Sequence, residues 1–414
     1  MTTTTHSRGR QRDDVAAVDV AARELVDRIR ALEDQVAAAQ AEQARLTAWL
    51  AARRPDDAAG LVAYARRVSP ARATRLVGLA KALTAELPWT LAAMRAGVLS
   101  EWRATLIARE SACLQPADRA TLDERLCAPD ESGRYPFDGW GDRRVSEEAR
   151  RLVAELDARA VVERRSLAAA DRRVTLRPAP DVMARLSALL PATQGIAVWA
   201  TLRRAADRAR VAGDPRSRGQ IMADVLVERV TGQATAEAVP VQVALVVSDQ
   251  TLLGGGVEPG WLQDYGPVTA ETARDLTKTA LAEATVALRR VYARPETGAL
   301  VAMDSRSRTF PRALGQFLEV RDRTCRSPWC DAPIRHHDHV RDHARGGATT
   351  AGNGQGLCEQ CNHLKQSAGW RARDVTGPGE LHTIETCLPT GHRQTSGAPR
   401  APTPAVIRIA YAAA

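Results

Sequence analysis

Apolar residues recur at alternating steps of four and three over residues 18–50. This heptad pattern predicts one long helix over residues 15–54, which ends where Pro55 interrupts the chain. The apolar face of such a helix packs either on its own domain or on a second copy of the chain, so a homodimer through residues 18–50 is one of two open interpretations. Residues 1–14 are polar and are predicted to be disordered.

Shorter helical patterns, separated by breakers, follow in residues 60–165. Ser69-Pro70 is a typical helix start, because a serine side chain caps the first turn and proline is tolerated within it. Leu87-Pro88 marks a break between two helices. We therefore expect several helices in this part of the chain.

Strand patterns appear in the middle of the chain. Residues 239–248 are apolar and rich in valine, which predicts a buried strand, while residues 174–177 and 288–303 predict a short strand and a hairpin. Helical patterns lie between these strands, at 181–190, 195–212 and 218–231. The predicted fold class is mainly α with an α+β middle region, and residues 55–303 are interpreted as one helical and α+β domain.

Composition and charge narrow the class of protein. With 44% apolar and 26% charged residues, the chain has the composition of a soluble globular protein. Since it shows neither a run of about 18 apolar residues nor an apolar leader, we expect a cytoplasmic protein without a membrane span. The net charge of +9 favours a polyanionic partner such as DNA. Residues 304–374 are the most basic part, with 12 basic and 8 acidic side chains.

Cysteine and histidine are concentrated in residues 325–365, which hold four of the seven cysteines and five of the eight histidines. The pairs Cys325-x4-Cys330 and Cys358-x2-Cys361 have the spacing of two metal-binding knuckles. Four thiolates close a tetrahedral zinc site, so we expect one structural Zn²⁺ that stabilises this segment. The other three cysteines belong to no such pair and are predicted to be plain buried thiols: Cys113, Cys127 and Cys387.

Polar residues between and after the knuckles suit the hydrolysis of a phosphodiester. Asp338 and His339 are adjacent on an extended segment, so their side chains point to opposite sides. The imidazole of His339 can deprotonate a water molecule near neutral pH. The carboxylate of Asp338 and the amide oxygen of Asn362 suit Mg²⁺ or Mn²⁺, which stabilises the charge that grows on the phosphate.

Asp338-His339, Asn353 and Asn362, framed by paired cysteines, resemble the HNH endonuclease motif. The resemblance implies a zinc-stabilised ββα-metal domain over residues 304–374, in which a hairpin is followed by a helix. It implies His339 as the general base, with Asp338 and Asn362 as ligands of the catalytic metal. It also implies that Asn353 braces the loop that carries His339.

The rest of the chain, from about residue 60, resembles bacterial proteins that join a domain of unknown function 222 to a C-terminal HNH nuclease. The stretches that carry this resemblance include LPWTLAAMRAGVLSEWRA and VALVVSDQTLL. Within the HNH motif, His363 is the alternative to Asn362 as the metal ligand on the helix. The chain departs from the motif after DHV, where Arg341-Asp342 replaces the common His-Pro and adds a negative charge near the site.

Several basic side chains are candidates for contacts with nucleic acid. Lys365 is one of only three lysines in the chain, and Arg335 and Arg345 lie close to the motif. Three further arginines either follow a DNA backbone or face solvent: Arg321, Arg323 and Arg326. Five further histidines are predicted to face solvent, with a position beside the metal site or toward phosphate as the alternative for the first three: His336, His337, His343, His382 and His392.

The sequence therefore predicts a metal-dependent HNH-type endonuclease that hydrolyses DNA. A loose, Pro/Gly-rich C-terminal tail with one strand at 381–386 is predicted to follow it at 375–414. Two other functions stay open, namely a zinc-stabilised DNA-binding protein without nuclease activity and an RNA-acting nuclease. The full set of aspartate, histidine and asparagine residues favours a nuclease over a binding protein, because binding alone does not require it.

Overall fold

The chain divides into two compact units, Met1–Arg164 and Arg165–Ala414. The described residues are mainly helical with four small sheets, which confirms a mainly α fold class with some β structure. The division falls inside residues 55–303, which the sequence predicts as one domain. None of the described helices is both long and apolar enough to cross a membrane. The structure, a computed structural model, describes residues 5–160, 162, 169–235, 245–263, 265–282 and 309–401.

In its described residues the first unit consists of helices and the turns that join them. The Ser69 hydroxyl accepts a hydrogen bond from the backbone N–H of Arg72, and Pro70 occupies the first turn of the helix that follows. Another helix begins at Pro88, where the sequence predicts a break. The α-helices of this unit are α1 (Thr5–Arg53), α2 (Ala58–Arg66), α3 (Pro70–Ala85), α4 (Pro88–Arg95), α5 (Glu101–Glu110), α6 (Pro116–Cys127) and α7 (Asp142–Leu156).

Helix α1 is longer than its apolar pattern predicts. It ends at Arg53, as expected, but it begins at Thr5 and so includes residues 5–14, which the sequence predicts to be disordered. No proline interrupts these residues, and extending an existing helix costs less free energy than starting a new one.

Apolar side chains from α1 and from α3 to α7 fill the core of the first unit. A buried carboxylate lies within this core: Asp123 on α6 accepts hydrogen bonds from the backbone N–H groups of Trp89 at 2.7 Å and Thr90 at 3.0 Å. These are N–H groups of the first turn of α4, which have no partner inside their own helix. Asp123 therefore caps α4 from a neighbouring helix, and its negative charge suits that helix end.

The described part of the second unit begins with a hairpin of two antiparallel strands, β1 (Arg173–Ala179) and β2 (Met183–Leu189). β1 confirms the predicted strand at 174–177, whereas β2 corrects the prediction of a helix at 181–190. Ala, Leu, Met and Arg favour a helix locally, but pairing with β1 overrides this propensity.

Two helices and a small sheet continue the second unit. Helices α8 (Ala192–Val211) and α9 (Arg218–Thr231) confirm the helical patterns predicted there. The elements here are β3 (Leu245–Val246), α10 (Asp249–Leu253), β4 (Gly260–Leu262), β5 (Gly266–Val268) and α11 (Ala270–Ala282). The sheet has the strand order β3-β4-β5. β3 is the described part of the strand predicted at 239–248; residues 239–244 and the predicted hairpin at 288–303 lie outside the described residues.

The cysteine and histidine segment, residues 325–365, follows helix α12 (Arg312–Asp322). It contains strands β6 (His336–His339) and β7 (Gly354–Leu357), which pair antiparallel with His339 opposite Gly354. Helix α13 (Glu359–Lys365) begins directly after β7. The order along this segment is therefore strand, strand, helix.

After this segment the chain forms a three-stranded antiparallel sheet rather than the loose tail predicted from residue 375. Its strands are β8 (Arg371–Asp374), β9 (Thr383–Cys387) and β10 (Arg393–Gly397), in the order β10-β9-β8. The strand predicted at 381–386 corresponds to β9. The guanidinium of Arg326 donates hydrogen bonds to backbone carbonyl oxygens in and beside this sheet, a connection that local sequence does not reveal.

Candidate functional site

The four knuckle cysteines meet in one cluster. Cys325 and Cys330 lie in the loop between α12 and β6, whereas Cys358 and Cys361 lie at the start of α13. Their sulfur atoms all lie within 4.8 Å of one another, and the Sγ atoms of Cys330 and Cys358 are 3.7 Å apart. Tetrahedral zinc with Zn–S bonds of about 2.3 Å places its sulfurs about 3.8 Å apart. The cluster can therefore hold a metal ion such as zinc.

Local backbone geometry brings these sulfurs together. Cys358 is the N-cap of α13, and its Sγ accepts a hydrogen bond from the backbone N–H of Cys361 at 3.4 Å. Trp329 adopts a positive φ of 57°, which lets the chain turn between the first two cysteines. Hydrogen bonds that the Cys361 S–H donates to Cys325 and the other two sulfurs, together with burial, raise the pKa of the Cys361 thiol, so four neighbouring thiolates require a cation.

The remaining cysteines are not part of the cluster. Cys127 is buried in the first unit, and burial raises the pKa of its thiol to about 12. Cys113 and Cys387 are only half-buried, so the prediction of plain buried thiols is correct for one of the three.

His339, the predicted base, lies at the end of β6 and is 9% exposed. Its Nε2 forms a hydrogen bond of 2.9 Å with Oγ1 of Thr349, and its ring packs 4.6 Å from the Phe310 ring, centroid to centroid. Burial lowers the pKa of His339 below its usual value, which keeps the imidazole neutral near pH 7. A neutral imidazole with one nitrogen engaged can accept a proton on the other.

Asp338 faces away from His339 and contacts a lysine from α13. The Nζ atom of Lys365 lies 2.8 Å from Oδ2 of Asp338 and 2.7 Å from Oδ1 of Asp342, and it donates to the carbonyl oxygen of His339 at 2.6 Å. The Lys365 side chain is only 10% exposed. Its ammonium group therefore balances two carboxylates inside the segment, a different position from the phosphate contact that the sequence predicts.

Asn362, one turn before Lys365 on α13, has a buried Oδ1 atom without a hydrogen-bond partner. A buried polar atom of this kind is rare, because leaving it unsatisfied costs about 1–3 kcal/mol. Residues three apart on a helix share a face, so Asn362 and Lys365 project to the same side of α13. The alternative ligand, His363, is exposed. The carboxylate of Asp338 and the unpartnered oxygen of Asn362 are the donor types that Mg²⁺ prefers.

Asn353 closes the loop between β6 and β7. Its Oδ1 accepts from the N–H of Arg341 at 2.8 Å, and its Nδ2 donates to the carbonyl oxygens of Arg341 at 3.0 Å and Ala348 at 2.8 Å. Gly347 is required here, because a Cβ atom at this position would lie 1.8 Å from the Arg341 carbonyl oxygen. The loop directly after His339 is therefore held by side-chain and backbone contacts together.

The candidate arginines divide into two groups. Arg335 and Arg345 are exposed, and Arg345 lies 3.6 Å from Asp342. Arg321 and Arg326 are buried instead, on either side of the completely buried carboxylate of Asp322. These two side chains hold the segment together and are not available to DNA, which corrects the sequence-based alternatives of a DNA contact or a solvent-facing position. Arg323 packs over the Trp261 ring at 4.2 Å.

The histidines predicted to face solvent also divide. His336, His343 and His392 are exposed, while Nε2 of His337 lies 3.0 Å from Oε1 of Glu319. His382 is buried, which corrects its predicted surface position, and its Nε2 donates to the Gly352 carbonyl oxygen at 2.7 Å. Its contact lies 30 residues earlier in the chain, so no local sequence signal indicates it.

A family model described as a domain of unknown function, DUF222, matches residues 11–322. This match covers most of the chain. The chain belongs to the DUF222 family. The matched residues of this DUF222 protein end before the first knuckle cysteine, and no HNH model matches, so the HNH resemblance rests on the residues of the segment themselves. Searches of curated proteins and of solved structures found no match.

Proposed function

We propose that this DUF222 protein is a metal-dependent endonuclease of the HNH type that hydrolyses phosphodiester bonds in DNA. The observation that carries the proposal is the buried, unpartnered Oδ1 of Asn362, on the same face of α13 as the lysine that contacts Asp338. Asp338 and Asn362 together offer one carboxylate and one amide oxygen to a hard divalent cation, Mg²⁺ or Mn²⁺. When bound there, such a cation stabilises the negative charge that develops on the phosphate.

His339 is the general base in this proposal. In the tautomer that this role requires, Nε2–H donates to Oγ1 of Thr349, and Nδ1 accepts a proton from a water molecule. The deprotonated water attacks the phosphorus atom, and the P–O bond to the leaving oxygen breaks. Burial, which favours the neutral imidazole, supports this role, because only the neutral form can accept the proton.

The cysteine cluster has a structural role in the proposal. Four sulfur ligands leave no open coordination position, so Zn²⁺ bound there holds the two ends of the segment together and takes no part in hydrolysis. DNA contacts come from exposed basic side chains near the site, of which Arg335 and Arg345 are the candidates. Lys365 acts as a positioning residue, because its ammonium holds Asp338 and the His339 carbonyl oxygen in place.

A second candidate function is a zinc-stabilised DNA-binding protein without nuclease activity. The observation that favours it is the 2.8 Å contact between Lys365 and Asp338, since the ammonium already balances the carboxylate that a catalytic cation needs. The two functions differ in what Mg²⁺ does to the protein. A nuclease requires the cation for turnover, whereas a binding protein is indifferent to it.

The test is the cleavage of plasmid DNA with Mg²⁺ or Mn²⁺, together with a gel shift on the same DNA. We expect wild type to cut the plasmid and His339→Ala to cut about 10²–10⁴ times more slowly with unchanged DNA affinity, because positioned general-base catalysis contributes that much. His336→Ala is the matched control, since His336 is exposed on the same strand and should cut at the wild-type rate.

Three results would change this assignment. Wild type that binds DNA but never cuts it with either cation is the binding protein. Wild type that cuts single-stranded RNA but not DNA is an RNA-acting nuclease. If wild type and His339→Ala cut DNA equally fast, His339 is not the base and the mechanism is wrong.

A further inference from the structure

One face of helix α1 packs against the other helices of the first unit. Its buried residues from position 37 onward are small and lie on one stripe, four alanines and one threonine: Ala37, Ala41, Ala44, Thr47 and Ala51. Small side chains let the helix approach its neighbours closely. Slightly earlier, the backbone of Gly97 comes so near to Asp34 that an added Cβ atom would lie 2.6 Å from the Asp34 Cβ. This alanine stripe is therefore already covered by the first unit.

The heptad positions of α1 lie on a different face and are exposed. The exposed fractions are 64% for Leu25, 61% for Ile29, 44% for Leu32 and 49% for Val36. Every described side chain from position 22 to 36 is exposed, except the half-buried Ala31. Asp34, which meets Gly97, lies on the opposite face, so over this stretch the helix carries an apolar seam that the described residues do not cover. An apolar stripe of this length on a soluble protein indicates an interface.

We propose that α1 pairs in parallel with α1 of a second copy of the chain. Steps of four and three place Ile29 and Val36 at the a positions of the heptad, and Leu25 and Leu32 at the d positions. β-Branched residues at a with leucine at d favour a parallel, two-stranded coiled coil. The apolar seam of α1 therefore packs against the identical seam of the second copy, which has the same heptad spacing.

The charges beside the seam fit the same arrangement. Arg28 occupies a g position and Glu33 the following e position. In a parallel pair, g of one helix lies beside the next e of the other, so Arg28 of each copy meets Glu33 of the other copy and both pairs attract. An antiparallel pair places g beside g and loses these contacts. The pairing does not depend on the nuclease proposal, because its observables are mass and cross-linking rather than activity.

The first experiment measures the mass of the full chain by light scattering. We expect twice the chain mass of 44.7 kDa for wild type. The double variant Ile29→Asp, Leu32→Asp should have the mass of one chain, because a charge at each seam position raises the dissociation constant by more than about 100-fold. Arg30→Asp is the matched control, since Arg30 lies next to Ile29 but outside the seam, and it should remain paired.

These variants do not disturb the fold of the unit, because both seam positions are exposed and contribute nothing to its core. Circular dichroism should therefore show the first unit folded in all of them. A wild-type chain with the mass of one copy overturns the proposal, and so does a double variant that keeps the paired mass. In the first case any partner of the seam is a different protein.

A second experiment tests the direction of the helices. Oxidation should link Leu25→Cys to Leu25→Cys and, in a separate protein, Val36→Cys to Val36→Cys, because equal positions meet along the whole of a parallel pair. Asp27→Cys, on the outer side of the helix, should link no more than wild type with its own seven cysteines. If only a mixture of Leu25→Cys and Val36→Cys forms the linked product, the pair is antiparallel and the proposal is wrong.

Discussion

In the core of the first unit, Leu83 and Met94 are completely buried among many other apolar side chains, whereas the buried cluster at the knuckles consists of three cysteines and Leu357. The first unit can gain its stability from apolar area removed from water. The knuckle cluster has too little apolar area to do so, and its sulfurs repel one another as thiolates. We therefore expect the stability of the knuckle segment to depend on a bound cation and that of the first unit not to.

Buried carboxylates show the same contrast. Asp123 in the first unit accepts hydrogen bonds from the N–H groups at the end of a single helix. Asp322 beside the segment binds the guanidinium of Arg321 at 2.7 Å and accepts from the N–H of Gly356 at 2.8 Å. One carboxylate completes a helix, and the other ties α12 to β7. The segment is thus held by charge and sulfur where the helical unit is held by apolar packing.

Removal of the metal should produce the largest effect. We expect Cys361→Ser to lose the zinc and to unfold the cysteine and histidine segment, because zinc binding to such sites contributes about 10 kcal/mol or more of folding free energy. The first unit should keep its protection from hydrogen exchange in the same sample. Elemental analysis and hydrogen exchange read by mass spectrometry measure the two effects separately.

Cys387→Ser is the control for this variant, since Cys387 is a half-buried cysteine in the same part of the chain but outside the cluster. It should retain one zinc per chain. Full zinc retention in Cys361→Ser would contradict the four-sulfur site. Loss of protection in both units would show that they do not fold independently of the metal.

The next effect in size belongs to the first unit. Leu122→Ala should lower its free energy of unfolding by about 2–5 kcal/mol, because Leu122 is completely buried and the truncation leaves a cavity. Zinc content should not change. Urea unfolding followed by hydrogen exchange locates the loss, and Val98→Ala is the control because Val98, in the same unit, is 43% exposed. An equal loss for both variants would mean that apolar burial is not what stabilises the first unit.

Local patterns in the sequence predict most of the first unit and the cysteine cluster. The cap at Ser69, the helix start at Pro88, the end of α1 and the paired cysteine spacing all lie within a few residues of the feature that they indicate. Heptad spacing likewise marks α1, but it does not show which face the unit covers. The alanine stripe decides that question only when the neighbours of α1 are known.

Contacts between distant parts of the chain are what the sequence does not predict. β2 forms a strand because β1 pairs with it, although its residues favour a helix. Arg326 is buried because it binds carbonyl oxygens about 56 to 71 residues later in the chain. Nothing near it in the sequence distinguishes it from an exposed arginine. The ammonium of Lys365 likewise contacts Asp338 and Asp342, which lie more than 20 residues earlier in the chain. In each of these cases the contact partner lies far away in the sequence, so local patterns do not indicate it.

The smallest predicted effect concerns a buried histidine beside the segment. Burial, together with the nearby charge of Arg321, lowers the pKa of His382 below its usual 6.5. The contact of its Nε2 with the Gly352 carbonyl oxygen and the charges of Asp322 and Asp374 oppose this shift but do not cancel it. As the pH falls through 6.5, His382 therefore binds a proton in the unfolded chain while it stays neutral in the folded chain. The stability of the second unit should fall with pH in this range.

His382→Gln should remove this dependence, because the glutamine amide places a donor where Nε2 lies and does not titrate. Between pH 7 and pH 5.5 we expect wild type to lose up to about 2 kcal/mol more free energy of unfolding than the variant, since a single group contributes at most about 1.4 kcal/mol per pH unit. Zinc release at low pH affects both proteins equally, so only the difference between them reports on His382. His392→Gln, at an exposed histidine, should follow the wild-type curve. Parallel curves for wild type and His382→Gln would show that the buried ring takes up its proton as readily in the folded chain as in the unfolded one. The stability of the second unit would then not depend on the protonation of His382, and in this respect the second unit would not differ from the apolar core of the first.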